Sequence, residues 1–304
     1  MTASLGLGTY RIPGEELAAA ARRAAASPSV WTDTAPNYAA GRAQTLLAPV
    51  LAAHPALQVS TKAGYFTAAT GTDAVQAGVL TEDQAAAGHS LTPQYVRWQT
   101  SRNREQLGRE RLDLALLHNP EHAHPGDRPA LHRAIRDAFA VLEEETAAGH
   151  IAAYGVATWT GLEQEAFTVA ELLALAGEAA GGRHHLAAVQ MPVSLVMMTP
   201  LTQALHGRGP LPAAAGAGLR AMASAPLHGG ELSHIVGRDL ADLIRPGLTP
   251  AQACVLAVAS CPGVTDVLVA ASGASHWKEA ADAVDQPPLT VAKLREITGV
   301  LAAP

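Results

Sequence analysis

Asp33, Tyr38, Lys62 and His118 are residue types that together deliver a proton to a carbonyl oxygen. Three of them end apolar runs: Ser29–Asp33, Leu57–Lys62 and Leu112–His118, with Tyr38 a few positions past Asp33. If the runs are parallel strands of one sheet, all four residues converge at its carboxyl edge, where α/β sheets build their sites. A free phenol titrates at about 10 and is a weak acid near neutrality. An adjacent ammonium stabilises the phenolate and lowers that value. In this reading Lys62 acts so on Tyr38, Asp33 holds Lys62 and keeps it charged, and His118 donates to the carbonyl oxygen. A nicotinamide would supply the hydride. Run backwards, the same set oxidises an alcohol. Taken singly, each residue has an ordinary role: a cap, a solvated lysine, a hydrogen-bonded histidine, a packed tyrosine. Their placement on consecutive strands carries the chemistry.

These positions require a scaffold in which strands and helices alternate. Further strand runs are Ser4–Thr9, Ile151–Ala157, Leu186–Met191, Gly218–Ser224 and Val264–Ala270, which makes about eight. Helical periods are expected over Glu15–Ala26, Gly41–Ala53, Arg128–Gly149, Thr160–Ala180 and Ser275–Val284. Thr92-Pro93 and Thr249-Pro250 are cap-plus-proline starts for helices running to about Gly108 and to Cys261. Strand–helix alternation of this length predicts an α/β chain folded as one (β/α)8 TIM barrel over residues 1–304. A doubly wound open sheet is the runner-up. Against it, Gly6-Leu7-Gly8-Thr9-Tyr10-Arg11 lacks the third glycine of the dinucleotide fingerprint, and no GxxxxGK[ST] phosphate loop occurs. Gly64–Leu91 shows no clear period and is expected to wall or cover the site, and Leu195–Gly216 is also irregular.

Composition excludes several classes. Charged residues are 16%, hydrophobic residues 48% and the formal net charge is −6, with no basic block, so nucleic acid is not an expected partner. No apolar run reaches the ~18 residues of a membrane span, and the first ten residues lack a secretory pattern. Cys254 and Cys261 fall in one expected helix as free core thiols, which fits a reducing cytoplasm. His118, His122 and His124 share a loop with Glu121 and Asp127. Pro120 and Pro125 break that segment, no second ligand cluster accompanies it, and no metal is expected. Nothing in the sequence sets the oligomeric state.

Asp33-Thr34-Ala35-Pro36-Asn37-Tyr38, Ser60-Thr61-Lys62 and Leu116-Leu117-His118-Asn119-Pro120-Glu121 resemble the aldo-keto reductase superfamily. The resemblance covers nearly the whole chain. Gly6-Leu7-Gly8-Thr9-Tyr10 is similar to the family's first strand, Tyr154–Trp159 to its fifth, Val189-Gln190 to its sixth and Ala225-Pro226-Leu227 to the loop after its seventh. It implies a (β/α)8 barrel, NAD(P)H without metal, and an aldehyde, ketone or sugar as substrate. Tyr38 is then the proton donor, with Asp33, Lys62 and His118 as above. The implied cofactor contacts are Gly8, Thr9, Tyr10, Asp33, Thr158, Gln190, Ser224, Pro226, Leu227, Ser272, Gly273 and Trp277. Tyr65, Phe66, Asn119 and Trp159 are expected near the mouth, as substrate contacts or as packing.

The sequence also departs from the family pattern. Thr158 stands where Asn is frequent, and Ser224 where many members place an aromatic ring. Ala271 and Trp277 replace the usual Lys and Arg of the adenosine-phosphate loop, and Ala281 a frequent Asn. NADP(H) is favoured over NAD(H) on the family's habit alone. Two alternatives stay open: non-redox lyase or isomerase chemistry at the same acid, and a low-activity cofactor-binding regulatory subunit.

Overall fold

The computed structural model describes residues 3–27, 29 and 31–302. The eight apolar runs form eight strands: β1 (Ser4–Gly8), β2 (Trp31–Asp33), β3 (Gln58–Ala63), β4 (Leu114–His118), β5 (Tyr154–Ala157), β6 (Leu186–Pro192), β7 (Arg220–Ser224) and β8 (Asp266–Val269). Each pairs in parallel with the next, and β8 pairs with β1 to close a barrel. The fold is a (β/α)8 TIM barrel. Val30, part of the second expected run, lies outside the described residues.

Fourteen α-helices occur among the described residues. The first seven are α1 (Gly14–Ala25), α2 (Ala43–Ala53), α3 (Ala68–Gln76), α4 (Glu82–Ala86), α5 (Pro93–Leu107), α6 (Arg128–Ala147) and α7 (Val169–Ala180). The others are α8 (Thr199–Leu205), α9 (Pro210–Gly216), α10 (Leu232–Ile235), α11 (Arg238–Ile244), α12 (Pro250–Ala259), α13 (Ala274–Val284) and α14 (Val291–Leu301).

Four sequence expectations need correction. The helix expected from Thr160 begins only at Val169, because Thr168 and Glu171 form a capping box that starts it there. Gly64–Leu91 is not irregular throughout: Thr67 and Thr81 cap α3 and α4, which are too short to show a period. Leu195–Gly216 likewise holds two seven-residue helices, each with proline in its first turn. Cys261 lies beyond the end of α12, not inside it. Both thiols are buried, and burial pushes each up to about 12.

The two-residue strand period decides what reaches the barrel interior. Trp31, Leu114, Leu116, Ala157, Ala188, Met222 and Leu268 form an inner cluster, while Val59, Leu117, Val156, Val189 and Val267 belong to the outer core beneath the helices. Asp33, His118, Gln190 and Ser224 lie two residues after Trp31, Leu116, Ala188 and Met222, on the same inward parity. Lys62 follows Ser60 in the same way along β3. Alternation alone therefore stacks the polar residues one layer above the apolar plug, at the carboxyl ends of the strands.

Candidate active site

Asp33 is the hub of the upper layer. Its Oδ2 accepts from Lys62 Nζ at 2.7 Å, and its Oδ1 accepts from Ser60 Oγ at 2.7 Å and Gln190 Nε2 at 2.9 Å. Its backbone carbonyl takes the Thr9 N–H and hydroxyl at 3.0 and 2.9 Å, which ties β1 to β2. Lys62 also donates to the Thr34 carbonyl at 2.9 Å. That leaves one ammonium N–H for the phenol, and the Nζ lies 5.0 Å from the Tyr38 ring centroid. Burial works against the lysine's charge, but Asp33 and Tyr38 together hold its pKa above the ordinary value. Lys62 is an ammonium at any working pH.

Tyr38 opens a turn, Tyr38–Gly41, in which Ala39 and Ala40 take left-handed φ values of 48° and 55°. Such alanine conformations cost about 1–3 kcal/mol each, and strain of that size gathers at functional sites. Burial raises the Tyr38 pKa, Lys62 lowers it, and Asp33 raises it again; the net direction is upward. Lys62 thus acts in the expected sense, but burial outweighs it. The phenol is protonated at neutral pH, the form a donor needs.

His118 stands edge-on to Tyr38, with ring centroids 6.1 Å apart. Burial first, then Lys62, His89 and His122, hold its pKa well below the ordinary value, so it is a neutral imidazole. Its Nδ1 is buried without a partner among the described residues. Its backbone carbonyl accepts from His89 Nε2 at 2.8 Å. Gly64 passes against the same carbonyl with φ of 151°, where a Cβ would sit 2.5 Å from the oxygen.

These groups open into one cavity of about 570 Å³. Of the expected contacts, Gly8, Tyr10, Asp33, Tyr38, His118, Thr158, Gln190, Ser224, Pro226, Leu227 and Ser272 line it, as do Tyr65, Asn119 and Trp159. Lys62 sits behind the wall, 2% exposed. Thr9 is buried as a strand tie rather than a lining group. Phe66 packs on Tyr95 with centroids 5.0 Å apart. Gly273 caps α13. Trp277 is buried and donates from Nε1 to Ser27 Oγ at 3.2 Å, away from the cavity. Ala271 and Trp277 themselves offer neither a stacking surface nor a cation, and the charge near them is the Arg23 guanidinium, which donates to the Ser272 carbonyl.

A model of the Aldo/keto reductase family matches residues 2–243. The chain belongs to that family. Its barrel resembles an aldo/keto reductase from Klebsiella pneumoniae crystallised with NADP and acetate (TM-score 0.69, 19% identity, 99% of this chain and 92% of that one). The aldo-keto reductase AKR11C1 from Bacillus halodurans, in holo form, matches with a TM-score of 0.69 at 19% identity over 99% and 93% of the two chains. A D-threo-aldose 1-dehydrogenase from a Pseudomonas species is 31% identical over 134 residues. That match spans about two fifths of each protein, 41% of this chain and 39% of the relative.

Several groups of this family member escaped the sequence reading. Asn37 lines the cavity with its Oδ1 buried and unpartnered, and Arg11 lines it beside Gly229. The position of Asn37 directly before Tyr38 was the available signal. Behind β3, Asn103 Nδ2 donates to the Lys62 carbonyl at 2.9 Å. Its Oδ1 accepts from Gln44 and Gln99 at 2.9 and 2.7 Å, and Tyr95 donates to Gln99 at 3.0 Å. Three buried amides on helix faces look like surface residues in a sequence, and nothing there marks them as supports of Lys62.

Proposed function

We propose that this protein is a nicotinamide-dependent oxidoreductase interconverting a small carbonyl compound and its alcohol, with Tyr38 as the proton donor and hydroxylated sugars as the substrate class. The observation that carries the reading is the buried Asp33–Lys62 pair beneath Tyr38, in a cavity that His118 also lines. The partial likeness to an aldose dehydrogenase supports the sugar assignment. So does a mouth walled by Tyr10, Tyr65 and Trp159 with amides at Asn37 and Asn119, since aromatic faces and amides suit a ring bearing hydroxyls.

The residues present fit a dinucleotide. Gln190 commits its Nε2 to Asp33, which leaves its Oε1 for the cavity. Past Ser224 the backbone is left-handed at Ala225, His228, Gly229 and Gly230 (φ 51°, 47°, 72° and 98°), a path that exposes main-chain groups to a ligand. His228 Nδ1 is buried there without a partner among the described residues. Gln190 and Thr158 would hold the nicotinamide end, and the 224–231 loop and Ser272 the phosphate end. We assign NADP(H) before NAD(H), in line with the NADP in the Klebsiella fold relative. No helix is long and apolar enough to cross a membrane among the described residues, and a cytoplasmic setting accords with that.

A nicotinamide bound along this path would supply hydride chemistry at the carbonyl carbon. Tyr38 gives its hydroxyl proton to the carbonyl oxygen as negative charge builds on it. An alkoxide is a far stronger base than a phenolate, so this transfer runs downhill even from a phenol whose pKa is raised. Lys62 then faces the phenolate, and Asp33 keeps Lys62 charged and in place. Neutral His118 orients the carbonyl through an N–H. In the oxidising direction the Tyr38 phenolate would take the alcohol proton, with an oxidised nicotinamide as the hydride acceptor.

The test is cofactor turnover with a panel of aldehydes and aldoses, in both directions, for wild type and Tyr38→Phe. A loss of about 10²–10⁴ in kcat is expected, the usual weight of a positioned general acid. Equal rates would overturn the assignment. Product without any cofactor would point instead to non-redox chemistry, and saturable cofactor binding with no turnover across the panel to a regulatory subunit.

A further inference from the structure

Glu121 sits in the turn Pro120–His122 directly after β4. One of its oxygens, Oε1, accepts from four donors: Thr158 Oγ1 at 2.8 Å and the backbone N–H groups of Trp159, Thr160 and Gly161 at 2.9, 3.0 and 3.3 Å. The other oxygen, Oε2, is buried without a partner among the described residues. Three successive backbone N–H groups form a concavity of the kind that binds anions, and here the protein's own carboxylate fills it.

This arrangement fixes the direction of the Thr158 hydroxyl. A threonine hydroxyl has one proton and two lone pairs. A carboxylate can only accept, so the Thr158 proton points at Glu121. The Gly161 N–H donates to one Thr158 lone pair at 2.9 Å. One lone pair is left, and Thr158 lines the cavity. The neighbouring strand repeats the logic. Gln190 must donate its Nε2 to Asp33 Oδ1, because the flipped amide would set two acceptor oxygens together. Its free polar atom is then also an acceptor. The two residues are adjacent, with the Thr158 N–H donating to the Gln190 carbonyl at 2.9 Å.

We infer that Glu121 is a positioning residue that turns Thr158 into an acceptor, so that Thr158 and Gln190 together read both N–H donors of the cofactor's carboxamide. The inference rests on the nicotinamide reading above. It explains why a hydroxyl side chain serves at position 158: with Glu121 behind it, the hydroxyl has one role and one orientation. A carboxamide held by both N–H groups cannot turn over, and the ring face presented to the substrate is set with it.

The test needs no turnover. NADP⁺, its 3-acetylpyridine analogue (no N–H) and its thionicotinamide analogue (both N–H kept) are titrated against wild type, Glu121→Leu, Glu121→Gln and Thr158→Val, by calorimetry or tryptophan fluorescence. One such hydrogen bond is worth about fivefold in affinity. Wild type should therefore bind NADP⁺ about 25-fold tighter than the acetylpyridine analogue, and the thio analogue within about threefold of NADP⁺. In Glu121→Leu the hydroxyl is free to rotate and donate, and the ratio should fall to about fivefold. Glu121→Gln keeps an oxygen that accepts the same four donors and should restore the wild-type ratio. Thr158→Val, which leaves the turn and Glu121 intact, should also show about fivefold and covers the case that Glu121→Leu does not fold.

Two results would overturn the inference. One is a wild-type protein that binds the acetylpyridine analogue as tightly as NADP⁺. The other is a Glu121→Leu variant that weakens all three dinucleotides by one common factor, the mark of a mere turn cap. If wild type binds none of the three, nor NAD⁺, the cofactor reading itself falls, and the two failures are thereby told apart.

Discussion

At the Tyr38 end of the cavity the protein answers every charge from within. Asp33 takes three side-chain donors, Lys62 has Asp33 and Thr34, and the Lys62 carbonyl is held by Asn103. At the far end, past Leu227, main chain, glycines and Ser272 share the wall with Arg11, His228 and Glu231, none of them locked into a buried ion pair among the described residues, and Ala271 and a buried Trp277 stand where the family often has a cation. Both ends belong to the same barrel rim. They differ in where charge must exist. A buried ammonium under a phenol has to be stabilised with no ligand present, so the fold supplies every partner and the residue types are forced. A phosphate brings its own charge into an open cleft, where backbone N–H groups and solvent-reaching side chains can meet it without a pre-built buried network, so residue types are less constrained.

The largest effect that would test this contrast comes from Lys62→Met. It leaves the Asp33 carboxyl group buried without its cation, and breaking a buried pair in this way costs about 3–5 kcal/mol of stability. Reductase activity should fall at least about 100-fold with it. Adding Asp33→Asn removes the orphaned carboxyl group and should recover a good part of the stability and none of the activity. Ser272→Ala at the other end should change unfolding free energy by less than about 0.5 kcal/mol. Denaturant unfolding of the four proteins measures this. A Lys62→Met protein as stable as wild type would show that the Tyr38 end is not the pre-built one.

The pH response probes the Tyr38 end alone, and more gently. His118 in the folded protein stays neutral below its ordinary value of 6.5, and Tyr38 stays protonated above its ordinary 10.0. The unfolded chain protonates the histidine as pH falls below 6.5, so stability erodes in that direction. It ionises the tyrosine as pH rises above 10.0, so stability erodes there too. Between those values neither group changes state, and kcat/KM for reduction should be flat apart from any titration of the substrate. A profile that declines steadily between 6.5 and 10.0 would mean that Tyr38 is more acidic than its burial dictates.

The same contrast explains what could be read before the fold was seen. The eight strands and the polar residues at their ends follow from apolar runs of period two, and Asp33, His118 and Gln190 keep the inward parity of Trp31, Leu116 and Ala188. Short helices such as α3, α4, α8 and α9 are set by caps and prolines rather than by a period, and they went unseen. Supports such as Asn103, Gln44 and Glu121 act through partners 17 to 41 positions away in sequence, where spacing carries no signal. Cofactor contacts made by main chain, as in the 224–231 loop, leave almost no mark on residue type.

Trp277 gives the smallest effect and bears most directly on the difference between the ends. It is 5% exposed and its indole N–H is bound to Ser27, so α13 uses it to pack on α1. Trp277→Phe should therefore lower stability by about 1–2 kcal/mol, from one lost hydrogen bond and a smaller ring in a filled site. The KM for NADPH should stay within about twofold, well under the roughly fivefold that one lost contact to the ligand would give. The two readouts move apart only if packing is the role. A raised KM with unchanged stability would mean that the indole swings out to meet the adenine. The far end would then hold a side-chain contact kept in reserve, and its apparent economy would describe only the protein before its ligand arrives.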